Sequence, residues 1–309
     1  MTVGPLAGRL IDNSSIRAVR WRDLIPLSPL ARAREVVLPV PWLAVALAAA
    51  SSPHPWIAVL PASYFFLAGL RLVHDVFHRN LGLPRWGDRL VLVAMSGLML
   101  GSMHAVRATH LRHHRNCLGP DDVEGAQAAG SFWRALITAP LFPVKLHRAA
   151  WRDAEPAQRR WIALEIGLVS CWAGAAARWG FWPVGYVACL MALGQGLVGF
   201  FAVWTVHHDT DRWHEVARTI RSRTGSLLVL EMFYHLEHHL FPRVPTCRLR
   251  ELAARLDAAM PDLPRRPVFD RKRDPARPYP VVRAPTPDGP LGPLPKEPDR
   301  AGINPSRSH

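Results

Sequence analysis

The sequence predicts an all-α integral membrane protein, with four transmembrane helices arranged as two hairpins. Three observations lead to this prediction: paired apolar runs almost free of charge, arginines concentrated on one side of those runs, and histidines clustered near their ends. Of the 309 residues 49% are hydrophobic and only 20% are charged, which excludes a chain that is disordered throughout.

The predicted spans are residues 36–52 and 56–70 in the first hairpin and residues 161–177 and 181–206 in the second. Glu165 is the one charged residue within them. A helix of about 17–20 residues rises about 25–30 Å, which matches the hydrocarbon thickness of a bilayer. Runs so long and uniformly apolar favour membrane spans over buried helices of a soluble core.

Basic residues set the predicted orientation. Six arginines precede the first span and 13 Lys and Arg residues lie in 71–160, whereas the turns at 53–55 and 178–180 hold one arginine between them. The positive-inside rule therefore predicts both termini in the cytoplasm, with the chain in the cell inner membrane. The basic residues that give the chain its net charge of +14 flank the spans, and this distribution argues against a nucleic-acid partner.

The composition divides the chain into three predicted parts. Residues 1–35 are expected to be a basic cytosolic segment, residues 36–260 the membrane domain, and residues 261–309 a disordered tail. The tail holds 13 of the 29 prolines and no long apolar run, which is typical of an extended chain. The four cysteines are isolated, so neither a disulfide scaffold nor a cysteine zinc site is expected.

The histidines form motifs whose spacing matches the face of a helix. The motifs are His74-x3-His78, His110-x2-His113-His114, His235-x2-His238-His239 and the pair His207-His208. Residues i, i+3 and i+4 lie on one side of a helix, so each motif directs two or three imidazoles the same way. They supply more nitrogens than one ion uses, which favours two metals with four or five nitrogens each. The sequence lacks HExxH, which argues against a zinc protease.

The apolar run at residues 90–103 is predicted to lie in the membrane interface or to dip into it. If this 14-residue run crossed the bilayer, the motif at His110 would lie about 30 Å from the motif at His74. One metal centre could not use both motifs.

Three stretches resemble the integral-membrane fatty acid desaturase superfamily, whose relatives include carotenoid hydroxylases and ketolases. They are His-Asp-Val-Phe-His at 74–78, His-Leu-Arg-His-His-Arg-Asn at 110–116, and Tyr-His-Leu-Glu-His-His-Leu-Phe-Pro-Arg-Val-Pro at 234–245. The resemblance covers roughly residues 40–260 and implies four transmembrane helices under a cytosolic cap that holds two irons. One departure is Cys117-Leu-Gly-Pro-Asp-Asp, where many desaturases have Thr-Asn-Asp-Pro.

Carried over by position, the resemblance implies nine iron ligands. They are His74, His78, His110, His113, His114, His208, His235, His238 and His239, with His207 as the alternative to His208. His208 is preferred because it precedes a polar residue. Asp75 and Glu237, which lie inside the motifs, are expected to orient the ligands. The single histidines His104 and His147 are interpreted as structural.

The resemblance implies an O₂-dependent oxidation of an unactivated C–H bond in a lipid. Desaturation of a fatty acyl chain is the first expectation, and hydroxylation or ketolation of a carotenoid ring is the alternative. A membrane haem or metal-transport protein is less favoured, because the predicted spans hold no histidine. No CxxC or HPGG motif indicates a fused electron donor, so a separate acidic ferredoxin-like protein is expected to dock on the arginine-rich face.

Overall fold

A computed structural model describes residues 10–210, 216–263 and 267–268. The described residues belong to one compact unit, residues 6–271. Their regular structure is helical, apart from one isolated bridge between Thr219 and Pro267. The predicted disorder of the tail falls almost wholly outside the described residues. The single histidine His214, which like His104 and His147 is expected to be structural or on the surface, also lies outside them.

Fifteen α-helices make up most of the described chain. They are α1 (Ser14–Arg17), α2 (Pro29–Val37), α3 (Pro39–Ala50), α4 (Val59–Phe77), α5 (Arg85–Met99), α6 (Met103–Asn116), α7 (Gly125–Ala128), α8 (Phe132–Thr138), α9 (Phe142–Asp153), α10 (Pro156–Trp179), α11 (Trp182–Val198), α12 (Thr205–His207), α13 (Arg223–Leu228), α14 (His235–Leu240) and α15 (Leu249–Ala259). A π-helix, Gly199–Trp204, joins α11 to α12. Short 3-10 helices occur at Leu10–Asp12, Arg22–Leu24, Pro55–Ala58, Ala139–Leu141 and Thr246–Arg248.

Within the described residues, three helical segments are long and apolar enough to cross a membrane. They are Pro29–Ala50, Pro55–Phe77 and Trp182–His207, of 22, 23 and 26 residues. These segments contain the first and second predicted spans, apart from the last two residues of the first, and nearly all of the fourth. The first segment begins within the part predicted as a basic N-terminal segment, because Pro29 starts α2 and its N-cap Ser28 accepts a hydrogen bond from the Ala31 amide.

The third predicted span lies in α10, which is not among these three segments. Arg159, Arg160 and Arg178 flank its apolar run, and Glu165 interrupts it. The Glu165 carboxylate is fully buried and accepts hydrogen bonds from Ser102 Oγ at 2.5 Å and from the His104 amide at 3.1 Å. A carboxylate is therefore tolerated inside this apolar helix, because its hydrogen-bond partners lie at the start of α6.

A sharp bend separates α5 from α6. The two helices meet at 108°, and they count as a fourth candidate span only if the bent pair is one broken crossing. α5 ends at Leu100, which adopts a left-handed backbone with φ of 60°, and Ser102 Oγ caps α6 by accepting from the Ala105 amide. The bend falls within the run predicted to lie in the interface, and it brings α6 back towards the end of α4.

Helix α4 lies at the centre of the main core, where its buried side chains pack against α3, α5 and α11. Gly69 allows α5 to approach closely, since a Cβ at this position would lie 2.7 Å from Met95 Cε and 2.8 Å from Met99 Sδ. The close contact fixes the direction of α4, and hence of the two histidines at its end.

A second core forms where residues 10–24 pack on α14 and α15. Ile16 and Leu24 are buried with Leu236 and Leu252 in one cluster, and the Arg255 guanidinium pairs with Asp23 at 2.8 Å. Part of the predicted N-terminal segment thus covers the helix that carries the third histidine motif.

Large aromatic side chains are exposed near both hairpin turns. Trp56, Trp179 and Trp182 are 68%, 74% and 61% exposed. Tryptophan is enriched where a membrane protein passes from hydrocarbon to headgroups, so this distribution fits a membrane boundary at the two turns.

The first prediction concerns the buried carboxylate of α10. Glu165→Ala should lower the free energy of unfolding by about 1–3 kcal/mol, because Ser102 and His104 lose a buried hydrogen-bond partner. Thermal unfolding of the purified protein in detergent measures the loss. Glu155→Ala, an exposed glutamate just before the same helix, is the control and should change stability by less than about 0.5 kcal/mol. Equal unfolding midpoints for the two variants would contradict the prediction.

Candidate metal centre

Nine histidines converge in two groups beside the end of α4. The first group is His74, His78, His110, His114 and His238. The second group is His113, His207, His235 and His239. Within each group, one ring nitrogen of every member lies within 4.8 Å of the others.

The two His-x2-His-His motifs divide their side chains between the groups in opposite ways. In α6, His110 and His114 face the first group and His113 faces the second. In α14, His235 and His239 face the second group and His238 faces the first. At 3.6 residues per turn, positions i+3 and i+4 point about 100° apart, so one motif can contribute to two neighbouring sites.

The Nε2 atoms approach one another at distances suited to a shared cation. His78 and His110 Nε2 are 3.1 Å apart, and His238 and His114 Nε2 are 2.9 Å apart. In the second group, His207 Nε2 lies 3.1 Å from His113 Nε2 and 3.0 Å from His235 Nε2. Two imidazole nitrogens bound at right angles to one ion, each at about 2.1 Å, are about 3 Å apart.

His74 gives the clearest indication that the site fits a metal. Both of its ring nitrogens are buried, and neither has a hydrogen-bond partner among the described residues. Burying an unpaired polar group costs free energy, and a cation bound by His74 would remove that cost. The residues of both groups therefore fit transition-metal ions, for which imidazole is a suitable ligand.

The structure and the sequence differ on the pair His207-His208. The second group contains His207, whose Nδ1 donates to the Val216 carbonyl at 3.0 Å, whereas His208 belongs to neither group. The His208 ring stacks on Trp204 at 3.9 Å between centroids, and its Nδ1 donates to the Trp204 carbonyl. The geometry of the described residues thus places His207 in the second group, and not the predicted His208, which follows the end of α12 with an extended backbone.

Two carboxylates contact the histidines directly. His113 Nδ1 donates to Asp122 Oδ2 at 2.7 Å, and His110 Nδ1 donates to Glu124 Oε2 at 3.2 Å. Burial by itself would raise the pKa of Asp122, but the hydrogen bond with His113 lowers that pKa below the usual value, so the carboxylate is ionised. Such partners fix the ring orientation and leave Nε2 free to bind an ion.

Asp75 and Glu237 do not have the orienting role expected for them. Asp75 accepts from Asn80 Nδ2 and from the Thr246 amide, and so ties α4 to the chain that follows α14. Glu237 accepts from Thr219 Oγ1 at 2.8 Å and pairs with Arg221. Both acids hold the histidine-bearing segments to their neighbours rather than holding an imidazole.

Arg71 provides another anchor, one turn before His74. Its guanidinium binds Glu35 of α2 at 2.9 Å and donates to the Leu230 carbonyl at 2.7 Å. Leu230 and Glu231 both have left-handed backbones, with φ of 49° and 60°. A buried cation thus fixes the irregular chain that leads into the third motif.

The imidazoles of the third histidine motif are uncharged in their buried positions. Burial lowers the pKa of His235, His238 and His239 well below the usual value, and the neighbouring histidines lower it further. Neutral imidazole is the form that binds metal ions, so burial prepares these side chains for coordination.

A largely apolar cavity of about 120 Å³ opens onto both histidine groups. Its walls come from α4, α6, α9 and the last candidate span, and include Leu70, Val106, Phe142, Phe201 and Met232. His74, His110, His113, His207 and His235 also line the cavity. The π-helix contributes Phe201, Ala202 and Val203 to this wall, and such a local change of helical pitch often occurs beside functional sites.

The single histidines have partners within the protein. His104 Nδ1 pairs with Glu165 at 2.7 Å. His147 Nδ1 donates to the Pro143 carbonyl at 2.8 Å, while Nε2 accepts from the Ser102 amide at 2.9 Å. Their contacts agree with the structural interpretation, although His147 also forms part of the cavity wall.

Sequence reasoning missed Asp122 and Glu124. A usable signal was present, because both follow the second motif closely: Asp122 ends Cys117-Leu-Gly-Pro-Asp-Asp, the segment that departs from the usual desaturase pattern, and Glu124 comes two residues later. The structure places Asp122 of this segment against His113.

Together, the helical fold of the described residues, its long apolar helices and the two histidine groups fit a membrane protein whose side chains can hold metal ions. The fatty acid desaturase family model matches residues 50–270, which is more than half of the chain, so the chain belongs to that family. No curated protein shows a significant match to it.

The second prediction separates the two adjacent histidines. His207→Ala should weaken metal binding by more than about tenfold, since even the loss of a hydrogen-bond partner around a ligand commonly costs 10–100-fold. His208→Ala should keep its metal, because this ring belongs to neither group. Metal content of the two purified variants, measured by mass spectrometry, tests the assignment, and loss of metal from His208→Ala alone would reverse it.

Proposed function

We propose that this protein is an O₂-dependent di-iron oxidoreductase that acts on a lipid hydrocarbon chain, with fatty acyl desaturation as its reaction. One observation carries the proposal: two groups of histidines border the same apolar cavity. Family membership supports an oxidoreductase that acts on lipid chains.

The iron pair would be held by nine histidines, with His207 in place of His208. When bound, the irons supply O₂ activation and the abstraction of hydrogen from an unactivated carbon. The protein itself orients the imidazoles through Asp122 and Glu124 and keeps their nitrogens buried. It would also hold a hydrocarbon substrate beside the histidines, because His74 and His207 line the same cavity as the apolar side chains.

The cavity lining supports a hydrocarbon substrate. Leu67, Leu70, Val198, Phe201 and Val203 present apolar side chains to it. Each buried methylene contributes about 0.8 kcal/mol, so a cavity of this kind binds an acyl chain by apolar contact alone. A small polar metabolite would gain little from such a surface.

Helix α9 supports entry from the membrane side. Phe142, Pro143 and Leu146 line the cavity, whereas Val144 and Trp151 on the same helix are 66% and 46% exposed. An amphipathic helix with exposed aromatic and aliphatic side chains is suited to the membrane interface. The wall of the cavity would then also be a surface that faces lipid.

We further propose four spans, with α10 as the third and the bent pair α5–α6 entering the membrane from the cytoplasmic side without crossing it. The arginine distribution supports a cytoplasmic location of both termini, and the proposed location is the cell inner membrane. The exposed tryptophans at the two hairpin turns support the same arrangement. Electrons would come from a separate acidic ferredoxin-like protein that docks on the basic cytoplasmic face.

The third prediction concerns the substrate. Iron-loaded protein supplied with ferredoxin, reductant and O₂ should introduce a double bond into a long acyl chain, measured by mass spectrometry of the lipid product. A carotenoid carrying a new hydroxyl or keto group would instead identify a ring hydroxylase or ketolase. Two irons without haem absorbance are expected in the active preparation, and oxidation of only a small soluble amine or sugar would contradict the proposal.

The fourth prediction concerns topology. A reporter active only in the cytoplasm, fused after Met260, should be active, because four crossings return the chain to the side of its N-terminus. A matched fusion within the turn at residues 53–55 should be inactive. The opposite pattern of activity would show that the orientation is reversed, and inactivity of both fusions would show that α10 does not cross.

A further inference from the structure

The loop at residues 117–124 links α6 to α7 and carries both carboxylates that touch the histidines. Asp122 holds His113, a member of the second group, and Glu124 holds His110, a member of the first. We propose that this loop positions one histidine of each group through a separate carboxylate, so that the two metal positions depend on different residues. The inference rests on the proposed two-metal centre.

The contacts identify these acids as positioning residues. In each pair Nδ1–H donates to the carboxylate, which fixes the tautomer and leaves Nε2 as the coordinating atom. His113 Nε2 lies 3.1 Å from His207 Nε2, and His110 Nε2 lies 3.1 Å from His78 Nε2. Each carboxylate therefore orients a nitrogen that belongs to only one of the two groups.

The loop backbone holds Asp122 in place. The amides of Leu118 and Glu124 donate to its two oxygens at 2.8 and 3.1 Å. Gly125 leaves room for the carboxylate, since a Cβ there would lie 2.4 Å from Asp122 Oδ2. The position of the Asp122 side chain is thus determined by residues on both sides of it.

The Glu124 side chain accepts hydrogen bonds from two residues of α6. Its Oε1 accepts from Thr109 Oγ1 at 3.0 Å, while Oε2 accepts from His110 of the same helix. Glu124 is buried and also lines the cavity. Its side-chain hydrogen bonds therefore do not involve the contacts that hold Asp122, and the two carboxylates can be altered separately.

The test is a Co²⁺ titration of the metal-free, full-length protein, followed by visible absorption. The wild-type protein should bind two ions. His78→Ala and His207→Ala each remove a ligand from one group, so they identify which absorption change belongs to which position. Asp122→Asn should weaken, by about 10–100-fold, the position that His207→Ala affects, and Glu124→Gln should weaken the position that His78→Ala affects.

Asp121→Asn is the matched control, because it makes the same change of charge at an exposed neighbour of Asp122. It should bind both ions as the wild type does. Gly125→Ala should behave like Asp122→Asn, since the added methyl group displaces the carboxylate. Circular dichroism shows whether each variant keeps its helices, and Glu124→Gln tests the inference even if Asp122→Asn does not fold.

The outcomes distinguish this inference from the proposed function. Binding of fewer than two ions by the wild type would overturn the two-metal centre and the inference with it. Two ions in the wild type, with both carboxylate variants unchanged or with both positions weakened equally by each variant, would overturn the inference alone.

Discussion

The structure depends on one constraint: nine imidazoles converge in two groups, and neighbouring ring nitrogens within each group approach to about 3 Å. Rings so close cannot all satisfy one another by hydrogen bonding, and His74 has no partner for either nitrogen within the described chain. The arrangement is stable only if the surrounding helices hold the rings in place and an ion compensates for their desolvation. Most irregular features of the fold lie next to these rings.

Those irregularities occur where helices must end or turn so that histidines from distant parts of the chain can meet. Leu100 adopts a left-handed backbone at the bend before α6, and Leu230 and Glu231 do so before α14. A π-helix precedes α12, which ends at His207. Each has a fixed polar contact nearby: Ser102 with Glu165, Arg71 with Leu230, and Trp204 Nε1 with the Gly130 carbonyl. Buried polar contacts thus hold backbone conformations that apolar packing alone would leave undefined.

The cavity and the metal centre share the same walls. Val106 and His110 lie on one helix, Val203 and His207 on another, and in both cases the apolar residue comes four positions before the histidine. Four residues correspond to about one helical turn, so the apolar residue lies on the same face and one turn away from the histidine. This spacing places the apolar lining of the cavity beside the histidine groups.

The sequence by itself determined the helical membrane class, three of the apolar spans and eight of the nine converging histidines, because these depend on local periodicity and on runs of one residue type. Tertiary structure decided the rest. The choice of His207 over His208 depends on where a helix ends, and the division of His113 from His114 between groups depends on which neighbours each face meets. The partners of Glu165, Asp122 and Glu124 lie on other elements or across a turn, and the sequence pattern contains no signal for hydrogen bonds that form only after the helices have packed.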